Sequence, residues 1–333
     1  MRKLVTLKEV TAITAIANAD NIELLTIDNS WRVIAKRGEF VVGDLTVYHE
    51  IDSLLPVDNP AYAFLIKGDT PYRLRTIKLR GCLSQGLALP LSMFSDYNLT
   101  VDDIAAALGV TKYEPPFNAG LAGNAKGSFP SFIPKTDQER AQNLVDVIFT
   151  DRITELYEIT IKLDGSSMTA YHNNGSIGVC SRNLELKLED NPNNAFVSMF
   201  ASSGLQTALT AYGKNIAVQG ELIGSNIQGN REQLLGHEFY IYDIYDIDNQ
   251  RYLRPYERLD VLNELRNLGY NQHHVPILGL LKALPCDNLD GLLLYADGES
   301  LHNSVREGLV YKSHDSQFRF KTISNKFLLR GGE

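Results

Sequence analysis

The segment from Tyr157 to Gly165 constrains the fold of this chain more than any other. Its apolar side chains occupy the odd-numbered positions, so a β-strand here directs Lys162 and Asp164 together to the opposite face. Gly165 then permits a tight turn. A lysine fixed on a strand beside a carboxylate suits covalent transfer chemistry, although this short pattern also occurs on solvated turns. The segments that follow decide between these two interpretations.

A β-hairpin is predicted directly after this strand. Asn174-Gly175 separates two alternating runs, which is a strong hairpin signal. With these two residues at the turn, Arg182 lies opposite Ser167 and returns to the neighbourhood of Lys162. The Arg182 guanidinium can hold a ribose or phosphate oxygen there; the alternative is an ordinary surface arginine.

Further along the chain, strand-like alternation places polar side chains on one face. One such segment turns Glu221 to its polar side, and another does the same with Lys321. A tyrosine-rich segment contains Tyr242, whose ring can stack on a base or fill the core. The segments are residues 216–224, 238–244, 306–312 and 318–323.

The N-terminal part of the chain is predicted to be a small β-barrel. Residues 4–95 contain closely spaced short strands separated by turn residues. Five basic side chains between Lys67 and Arg80 are accompanied by one acidic residue, Asp69. This basic segment indicates a nucleic-acid or phosphate contact, or a solvated strand edge kept soluble by its charge.

The domain boundaries follow from a change in composition. Residues 114–135 are rich in Pro, Gly, Asn and Ser, which is typical of a linker or a long functional loop. Thr136–Glu139 has capping-box spacing and predicts a helix reaching about Ile148. We therefore expect a barrel domain at residues 1–113, a linker at 114–135 and a second domain at 136–333.

Composition limits the environment in which the protein works. The net charge of −8 argues against a general polyanion coat, and the three scattered cysteines indicate reduced thiols rather than disulfides. No apolar run is long enough to span a bilayer, and the first residues lack the apolar core of a signal peptide. We expect a cytoplasmic protein with no membrane association.

Six blocks of the sequence resemble motifs I, Ia, III, IIIa, IV and V of the covalent nucleotidyltransferases, in the family's order. That superfamily comprises ATP-dependent DNA ligases, RNA ligases and mRNA capping enzymes. The blocks are Lys162-Leu-Asp-Gly, Ser181-Arg-Asn, Gly220-Glu221, Phe239-Tyr-Ile-Tyr-Asp243, Glu307-Gly-Leu-Val-Tyr-Lys312 and Phe320-Lys321.

The resemblance is strongest to ATP-dependent RNA ligases that carry an OB domain ahead of the nucleotidyltransferase domain. DNA ligases and capping enzymes carry theirs after motif V. The implied fold is α+β: an OB-like β-barrel followed by a nucleotidyltransferase (ATP-grasp-like ligase) domain with antiparallel sheets and flanking helices. The implied activity is sealing of RNA with 3′-OH and 5′-phosphate ends at duplex nicks or in broken structured RNA, as in RNA repair, with no obligate protein partner.

The same resemblance implies roles for individual residues. Lys162 would accept AMP from ATP, with Lys312 and Lys321 on the α-phosphate. Mg²⁺ or Mn²⁺ would be held largely through water. The implied nucleotide-binding residues are Arg182, Asn183, Glu221, Tyr242 on adenine and Arg140 on the leaving pyrophosphate; the implied metal-site residues are Asp164, Glu221 and Glu307.

Physical chemistry supports the need for a metal ion. The attacking amine must be neutral, yet an unperturbed lysine has a pKa of about 10.4. Nearby carboxylates raise that pKa further, and a divalent cation would reverse the local field. Magnesium usually keeps several waters, which suits carboxylates that bind it through water.

One departure from the family pattern and one question of strand geometry remain open. The second lysine expected in motif V is Ile323 here, so either Arg319 supplies that charge or one phosphate contact is absent. Plain alternation also puts Glu307 and Lys312 on opposite faces, unless Gly308 starts the strand. The alternatives are a DNA ligase, a capping guanylyltransferase, or a non-catalytic nucleic-acid-binding protein.

Overall fold

The computed structural model describes residues 3–113, 124–189, 191, 193–302 and 304–330. The chain divides into two compact units, Met1–Pro116 together with Leu328–Glu333, and Phe117–Phe327. Within the described residues, the longest helix has 13 residues, and no helix combines the length and apolar character needed to cross a membrane.

The N-terminal unit is built mainly from short strands. Its described residues contain one short helix, α1 (Ile104–Ala107), and 3-10 turns at Pro60–Tyr62 and Leu91–Phe94. The strands are β1 (Val5–Ala15), β2 (Ile22–Ile27), β3 (Trp31–Lys36), β4 (Leu45–His49), β5 (Ser53–Leu55), β6 (Tyr72–Arg73), β7 (Ile77–Leu79), β8 (Cys82–Ser84), β9 (Leu87–Pro90) and β10 (Thr111–Lys112).

A curled five-stranded sheet, in the order β3-β2-β1-β4-β9, forms the centre of this unit. Its long strand β1 pairs with β4 through its first half and with β2 through its second half. A bulge between Val10 and Ala12 bends β1 between the two pairings. Trp31 and Tyr48 are fully buried against each other in the core. The sheet therefore forms half of the barrel predicted for residues 4–95.

The second unit holds the remaining elements. Its helices are α2 (Ala195–Ser202), α3 (Leu205–Tyr212), α4 (Pro255–Asn267) and α5 (Leu289–Ala296), and α6 (Asn325–Leu329) follows the last strand. Its strands are β11 (Ala125–Ser128), β12 (Glu139–Arg140), β13 (Tyr157–Lys162), β14 (Ser166–Asn173), β15 (Ser176–Cys180), β16 (Leu184–Leu186), β17 (Ile216–Gly224), β18 (His237–Asp246), β19 (Arg251–Tyr252), β20 (His273–His274), β21 (Ile277–Lys282), β22 (Gly308–Ser313) and β23 (Arg319–Ile323).

These strands form two sheets, which we call the large sheet and the small sheet. The large sheet runs β11-β16-β15-β14-β17-β18-β19, with β20 paired to β18, and the small sheet runs β12-β23-β22-β13-β21. Pairing is antiparallel except for β12 with β23 and β18 with β20. The architecture is that of the predicted α+β domain with antiparallel sheets.

Each sheet buries one face in an apolar core. The large sheet packs residues such as Met168 and Val218 against α2, α3 and α4. The small sheet packs the odd-numbered residues of β13, including Ile159, against α5. The opposite, polar faces of the two sheets meet, because Lys312 on β22 bonds to Asp243 on β18.

The helix predicted to follow Thr136 does not begin there, and helical turns form only from Ala141 onward. Glu139–Arg140 instead forms strand β12, followed by a 3-10 turn at Ala141–Asn143 and a π-helical turn at Val147–Asp151. The hydroxyl of Thr136 shares a hydrogen bond with the Tyr242 hydroxyl rather than capping a helix. Tertiary contacts override the local capping signal here.

Other sequence predictions are confirmed. Asn174 and Gly175 form the hairpin turn with φ angles of 49° and 78°, and Asn173 pairs with Ser176. The amphipathic spacing from Tyr256 to Leu268 also predicts a helix, and α4 ends one residue before Leu268. Residues 114–123 of the predicted linker lie outside the described residues, whereas β11 within it pairs with β16.

Candidate active site

Lys162 lies at the end of β13 and forms an ion pair across the sheet. Its Nζ donates to Glu307 Oε2 at 2.5 Å. Strand β22 begins at Gly308, opposite Lys162, so Glu307 lies outside the alternation of that strand. A side chain at Gly308 would overlap the carbonyl of Thr322. The close approach of β23 therefore requires glycine and frees Glu307 to turn toward the lysine.

Two more carboxylates lie close to this ion pair. Asp164, two residues after Lys162, pairs with Arg231 Nε at 2.5 Å. Glu221, on β17 of the large sheet, accepts a hydrogen bond from the Gly165 amide at 3.1 Å. The turn after β13 thus brings carboxylates from three separate parts of the chain around one amine.

Burial raises the pKa values of these two carboxyl groups, and repulsion from neighbouring carboxylates adds to the rise. Burial, followed by repulsion from Glu307, raises the pKa of Glu221 to about 8. Burial and Glu307 also raise the pKa of Asp164 to about 6. Ionisation of these carboxyl groups is therefore disfavoured in the absence of added cations, and binding of a cation at this site would favour it.

The amine of Lys162 responds in the opposite way. Burial alone would lower its pKa, but Glu307 and Glu221 outweigh burial and raise the pKa above its ordinary value. The lysine is therefore held as a charged ammonium by its carboxylate neighbours. This direction agrees with the sequence-based argument that the carboxylates by themselves oppose nucleophilic attack.

A second group of cations lies beside Lys162. Burial, together with Lys162 and Arg140, lowers the pKa of Lys321 to about 7. Strand β12 places Arg140 directly beside Lys321, and Arg140 is 4% exposed. Three cationic side chains therefore converge on one small region, where they favour binding of an anion such as a phosphate group.

A bulge in β18 positions Tyr242. The register of β17 and β18 shifts between Gln219 and Gly220, so that Tyr242 has no direct partner across the pair. Its hydroxyl shares hydrogen bonds with Thr136 Oγ1 at 2.9 Å and Ser167 Oγ at 3.2 Å. The sequence predicted the strand and the tyrosine but carried no sign of the bulge.

Lys312 belongs to a different group of charges. Its Nζ donates to Asp243 Oδ1 at 2.9 Å and to the carbonyl oxygen of Tyr242, and the side chain is 1% exposed. Arg258 donates to Glu158, and Arg319 Nη1 donates to Asp243 Oδ2 at 2.8 Å. We call Glu158, Asp243, Arg258, Lys312 and Arg319 the buried charge cluster.

Arg182 and Asn183 lie beyond the end of β15 and are exposed. Arg182 pairs with Asp137 at 3.1 Å, and Asn183 Oδ1 accepts from Lys135 Nζ at 2.8 Å. Ser167, the predicted cross-strand neighbour of Arg182, pairs on its other side with Glu221 of β17. Both predicted residues therefore border the segment before β12, with their polar groups held by its side chains.

A buried isoleucine occupies the position of the second motif V lysine, and Arg319 is used elsewhere. Ile323 is 4% exposed and packs at the end of β23. Arg319 donates to Asp243 and lies 3.7 Å from the ring centre of Tyr252, which places its charge within the buried charge cluster.

The sequence analysis did not identify several charged residues of the site. Glu158 shares the polar face of β13 with Lys162, so the same alternation could have identified it. Arg231 lies in a loop between β17 and β18 and Arg258 lies on helix α4. No local pattern ties either of them to the motif blocks.

The carboxylates fit a hydrated metal ion better than a directly bound one. Among the described residues, no three His, Cys, Asp or Glu side chains are close enough to hold a metal ion by themselves. Asp164, Glu221 and Glu307 nevertheless concentrate carboxylate oxygens around Lys162, and the pKa values of Asp164 and Glu221 are raised. Hard oxygen donors at some distance suit magnesium or manganese ions that keep part of their water.

Comparison with known proteins agrees with these features. A family model described as RNA ligase matches residues 155–324, and a model of an OB-fold domain matches residues 4–91. The second match confirms the predicted OB-like head. A search of curated protein sequences returned no match.

Solved structures of the RNA ligase of Naegleria gruberi resemble the whole chain at 44% sequence identity, with 98% of each chain covered. A lysine-to-alanine mutant without ligand has a TM-score of 0.91. A second such mutant, solved with ATP and Mn, and the enzyme solved with PPi both have TM-scores of 0.90.

Proposed function

The chain belongs to the RNA ligase family, and we propose that it is an ATP-dependent RNA ligase that works through a lysyl-AMP intermediate on Lys162. The observation that carries the proposal is the ion pair between Lys162 and Glu307, with Glu221 and Asp164 beside it. The Lys321–Arg140 pair of cations adjoins it. This arrangement brings a nucleophile, carboxylates and phosphate-binding cations into one site.

In the first step, Lys162 Nζ forms a bond to the α-phosphorus of ATP while the bond to pyrophosphate breaks. The ammonium must first lose a proton, and Glu307 Oε2 lies 2.5 Å away to accept it. A divalent ion, when bound, would offset the negative field of the carboxylates and stabilise charge on the phosphates. Asp164, Glu221 and Glu307 would hold that ion through water.

The neighbouring cations bind the phosphates in this proposal. Lys321 contacts the α-phosphate and stabilises the negative charge that develops there during transfer. Arg140, beside it on β12, holds the leaving pyrophosphate. A direct contact of Lys312 with the α-phosphate stays a prediction. Its hydrogen bond to the Tyr242 carbonyl supports a second role, which is to fix the backbone of the β18 bulge.

The remaining site residues hold the nucleoside. Tyr242 would stack on adenine, since its hydroxyl is tied to Thr136 and Ser167 and its ring is thereby oriented. Glu221 would accept a hydrogen bond from the ribose or orient a metal-bound water. Arg182 and Asn183 would contact the ribose side after exchanging their present partners.

Two further steps complete the sealing reaction. AMP passes from Lys162 to the 5′-phosphate end of an RNA strand, and the lysine is regenerated. The 3′-hydroxyl then attacks the activated phosphorus, forming a phosphodiester bond and expelling AMP. We propose 3′-OH and 5′-phosphate ends at duplex nicks or in broken structured RNA as the substrate.

Covalent labelling tests the first step. The protein is incubated with α-labelled ATP or GTP and a divalent metal, beside Lys162→Ala. We expect an acid-labile, alkali-stable label from ATP on the wild type alone. Labelling of the alanine variant would refute the assignment of Lys162, and labelling with GTP only would indicate a capping guanylyltransferase.

The last step is tested with 5′-adenylylated strands, so that only attack by the 3′-hydroxyl is scored. A ligase that selects RNA senses the 2′-hydroxyl or A-form geometry. We expect sealing to require ribonucleotides at the 3′-hydroxyl side while the 5′-phosphate strand is tolerated as DNA. Equal rates for all-DNA and RNA 3′ ends would favour a DNA ligase.

A further inference from the structure

Strands β7 and β8 form a hairpin that is separate from the larger sheets of the N-terminal unit. Ile77 pairs with Ser84 and Leu79 with Cys82 in this two-stranded pair. Arg80 and Gly81 form its turn with φ angles of 48° and 86°, a left-handed conformation at both positions. We call residues 77–84 the basic hairpin.

The first strand of the basic hairpin is exposed along its whole length. Ile77 and Leu79 are 45% and 43% exposed, and Lys78 between them is also exposed. A strand that is buried on neither face does not contribute to a core. Its apolar side chains therefore remain available for contact with another molecule.

The positive charges around the basic hairpin fall into two classes. Arg73 is used by the fold, because it pairs with Asp52 at 2.6 Å and lies 3.9 Å from the ring centre of Tyr113. The other basic side chains of residues 67–80 are exposed, and within the described part of the chain none of them forms an ion pair. They are Lys67, Arg75, Lys78 and Arg80.

This concentration of charge contrasts with the rest of the protein. Residues 67–80 carry five basic side chains and one acidic side chain, whereas the chain as a whole has a net charge of −8. Four unpaired cations close together repel one another, so the fold itself gains nothing from them. A polyanion would neutralise them together and release its own counterions.

We propose that the basic hairpin and its flanking residues 67–76 bind the phosphate backbone of the RNA beside the break, without reading its sequence. Lys78, Arg75 and Arg80 contact phosphates, and Ile77 and Leu79 lie against sugars or base faces. An RNA strand is favoured over a protein partner because the four exposed cations of residues 67–80 outnumber the three large exposed apolar side chains there, and Lys78 lies between Ile77 and Leu79. This inference rests on the proposed function, since it takes RNA as the substrate.

The alternative is that the charges only protect an exposed strand edge from pairing with other chains. Edge protection requires neither a ligand nor a dependence on salt. Contact with RNA phosphates predicts that affinity falls steeply with salt concentration. In a plot of the logarithm of the binding constant against the logarithm of the salt concentration, each phosphate contact on a duplex contributes a slope of about −0.9. The two explanations therefore differ in a measurable quantity.

The test is binding of a nicked RNA duplex at salt concentrations from low to physiological, measured by fluorescence anisotropy. The test variant combines Arg75→Ser, Lys78→Ser and Arg80→Asn, with asparagine chosen because it tolerates the left-handed backbone at position 80. Lys78→Ser alone is compared with Lys282→Ser, which removes the same charge from an exposed strand position in the second unit.

We expect the triple variant to bind the duplex at least tenfold more weakly at low salt, and its salt slope to decrease by about 2 to 3. Lys78→Ser should lower the slope by about 1, and Lys282→Ser should leave it unchanged. Unchanged affinity and slope in the triple variant would overturn the proposal in favour of edge protection.

Labelling of Lys162 by ATP, measured on the same preparations, keeps the two proposals apart. Intact labelling shows that the second unit is folded, and a thermal unfolding curve like that of the wild type shows the same for the N-terminal unit; weakened RNA binding in such a preparation supports the RNA-binding role. Loss of labelling in the wild type would refute the proposed function, whereas the salt slopes would still decide whether the basic hairpin binds RNA.

Discussion

Two groups of charged side chains occupy the same polar face of the small sheet and differ in how their charges are satisfied. Lys162 and its carboxylates lie at one end of β13, and the buried charge cluster surrounds Glu158, four residues earlier, about 13 Å away along the strand. In the buried charge cluster four side chains are at most 1% exposed and that of Arg319 is 9% exposed, and the cations and carboxylates bond to one another.

Their pKa shifts show the difference. In the cluster, burial would raise the pKa of Asp243, but Arg319, Lys312 and Arg258 outweigh it and lower that pKa. At the Lys162 end, the pKa of Glu221 rises, because its carboxylate neighbours add to the effect of burial. The charges of the buried charge cluster are satisfied within the protein, whereas the charges around Lys162 favour binding of a ligand.

Removing Arg258 should produce the largest change in stability. Arg258→Met leaves Glu158 charged and buried without its partner, and such losses cost about 3–5 kcal/mol in the free energy of unfolding. Urea denaturation measures this cost. The double variant Glu158→Gln/Arg258→Met removes both charges and should lose less than the sum of the single changes. A loss below about 1 kcal/mol for Arg258→Met would show that the cluster does not stabilise the fold.

The next prediction concerns Lys321, where we expect a small change in stability and a large change in activity. Because Lys162 and Arg140 already oppose its charge, Lys321→Met should change the free energy of unfolding by less than about 1 kcal/mol. The rate of lysyl-AMP formation should nevertheless fall about 10²- to 10³-fold, as for loss of one group that stabilises transition-state charge. Lys326→Met, at a 65% exposed lysine on α6, is the control and should keep its rate.

A third prediction concerns pH. The folded state holds a proton on Glu221 up to about pH 8, whereas the ordinary pKa is 4.5. Between these values the folded state binds more protons than the unfolded state, so stability falls as pH rises. Glu221→Gln should remove this slope, which is at most about 1.4 kcal/mol per pH unit, and should stabilise the ligand-free protein by up to about 4 kcal/mol at pH 8.

Urea denaturation at several pH values between 5 and 8, with a metal chelator present, measures the effect. Asp164 contributes a fall of the same sign at lower pH, from 3.8 to about 6, in both proteins. Identical slopes for wild type and variant above pH 6 would show that Glu221 is ionised in the folded state.

The smallest expected effect is at Arg231. Its ion pair with Asp164 is partly exposed, so Arg231→Gln should cost no more than about 1 kcal/mol of stability. Removing this cation should lower the divalent-ion concentration needed for half-maximal adenylylation, by about fivefold for a 1 kcal/mol change. Arg231→Lys restores the charge and should restore the wild-type midpoint. A higher midpoint in the glutamine variant would mean that Arg231 assists metal binding.

Sequence reasoning succeeded where local pattern and structure agree. Alternation placed Lys162 on the polar face of β13, and Asn174-Gly175 fixed the hairpin register. It failed at Thr136, where the hydroxyl bonds to Tyr242, a residue 106 positions away, rather than to the backbone of its own segment.

The β18 bulge and the buried charge cluster could not be inferred for the same reason. The bulge arises from the pairing of β17 with β18, and Arg258 reaches Glu158 from a helix 100 residues later. Such contacts leave no periodic trace in the amino-acid sequence. The roles of individual site residues therefore remain predictions, while the architecture that carries them is established.

The pairing of β13 with β22 has a consequence for synthesis of the protein. Lys162 and Glu307 are 145 residues apart, and β13 lies between two strands that are both made later, β22 and β21. Domains fold as units as the chain emerges from the ribosome. The small sheet is complete only when residues as far as Ile323 have emerged, so the ion pair of Lys162 with Glu307 can form only after nearly the whole chain has been synthesised.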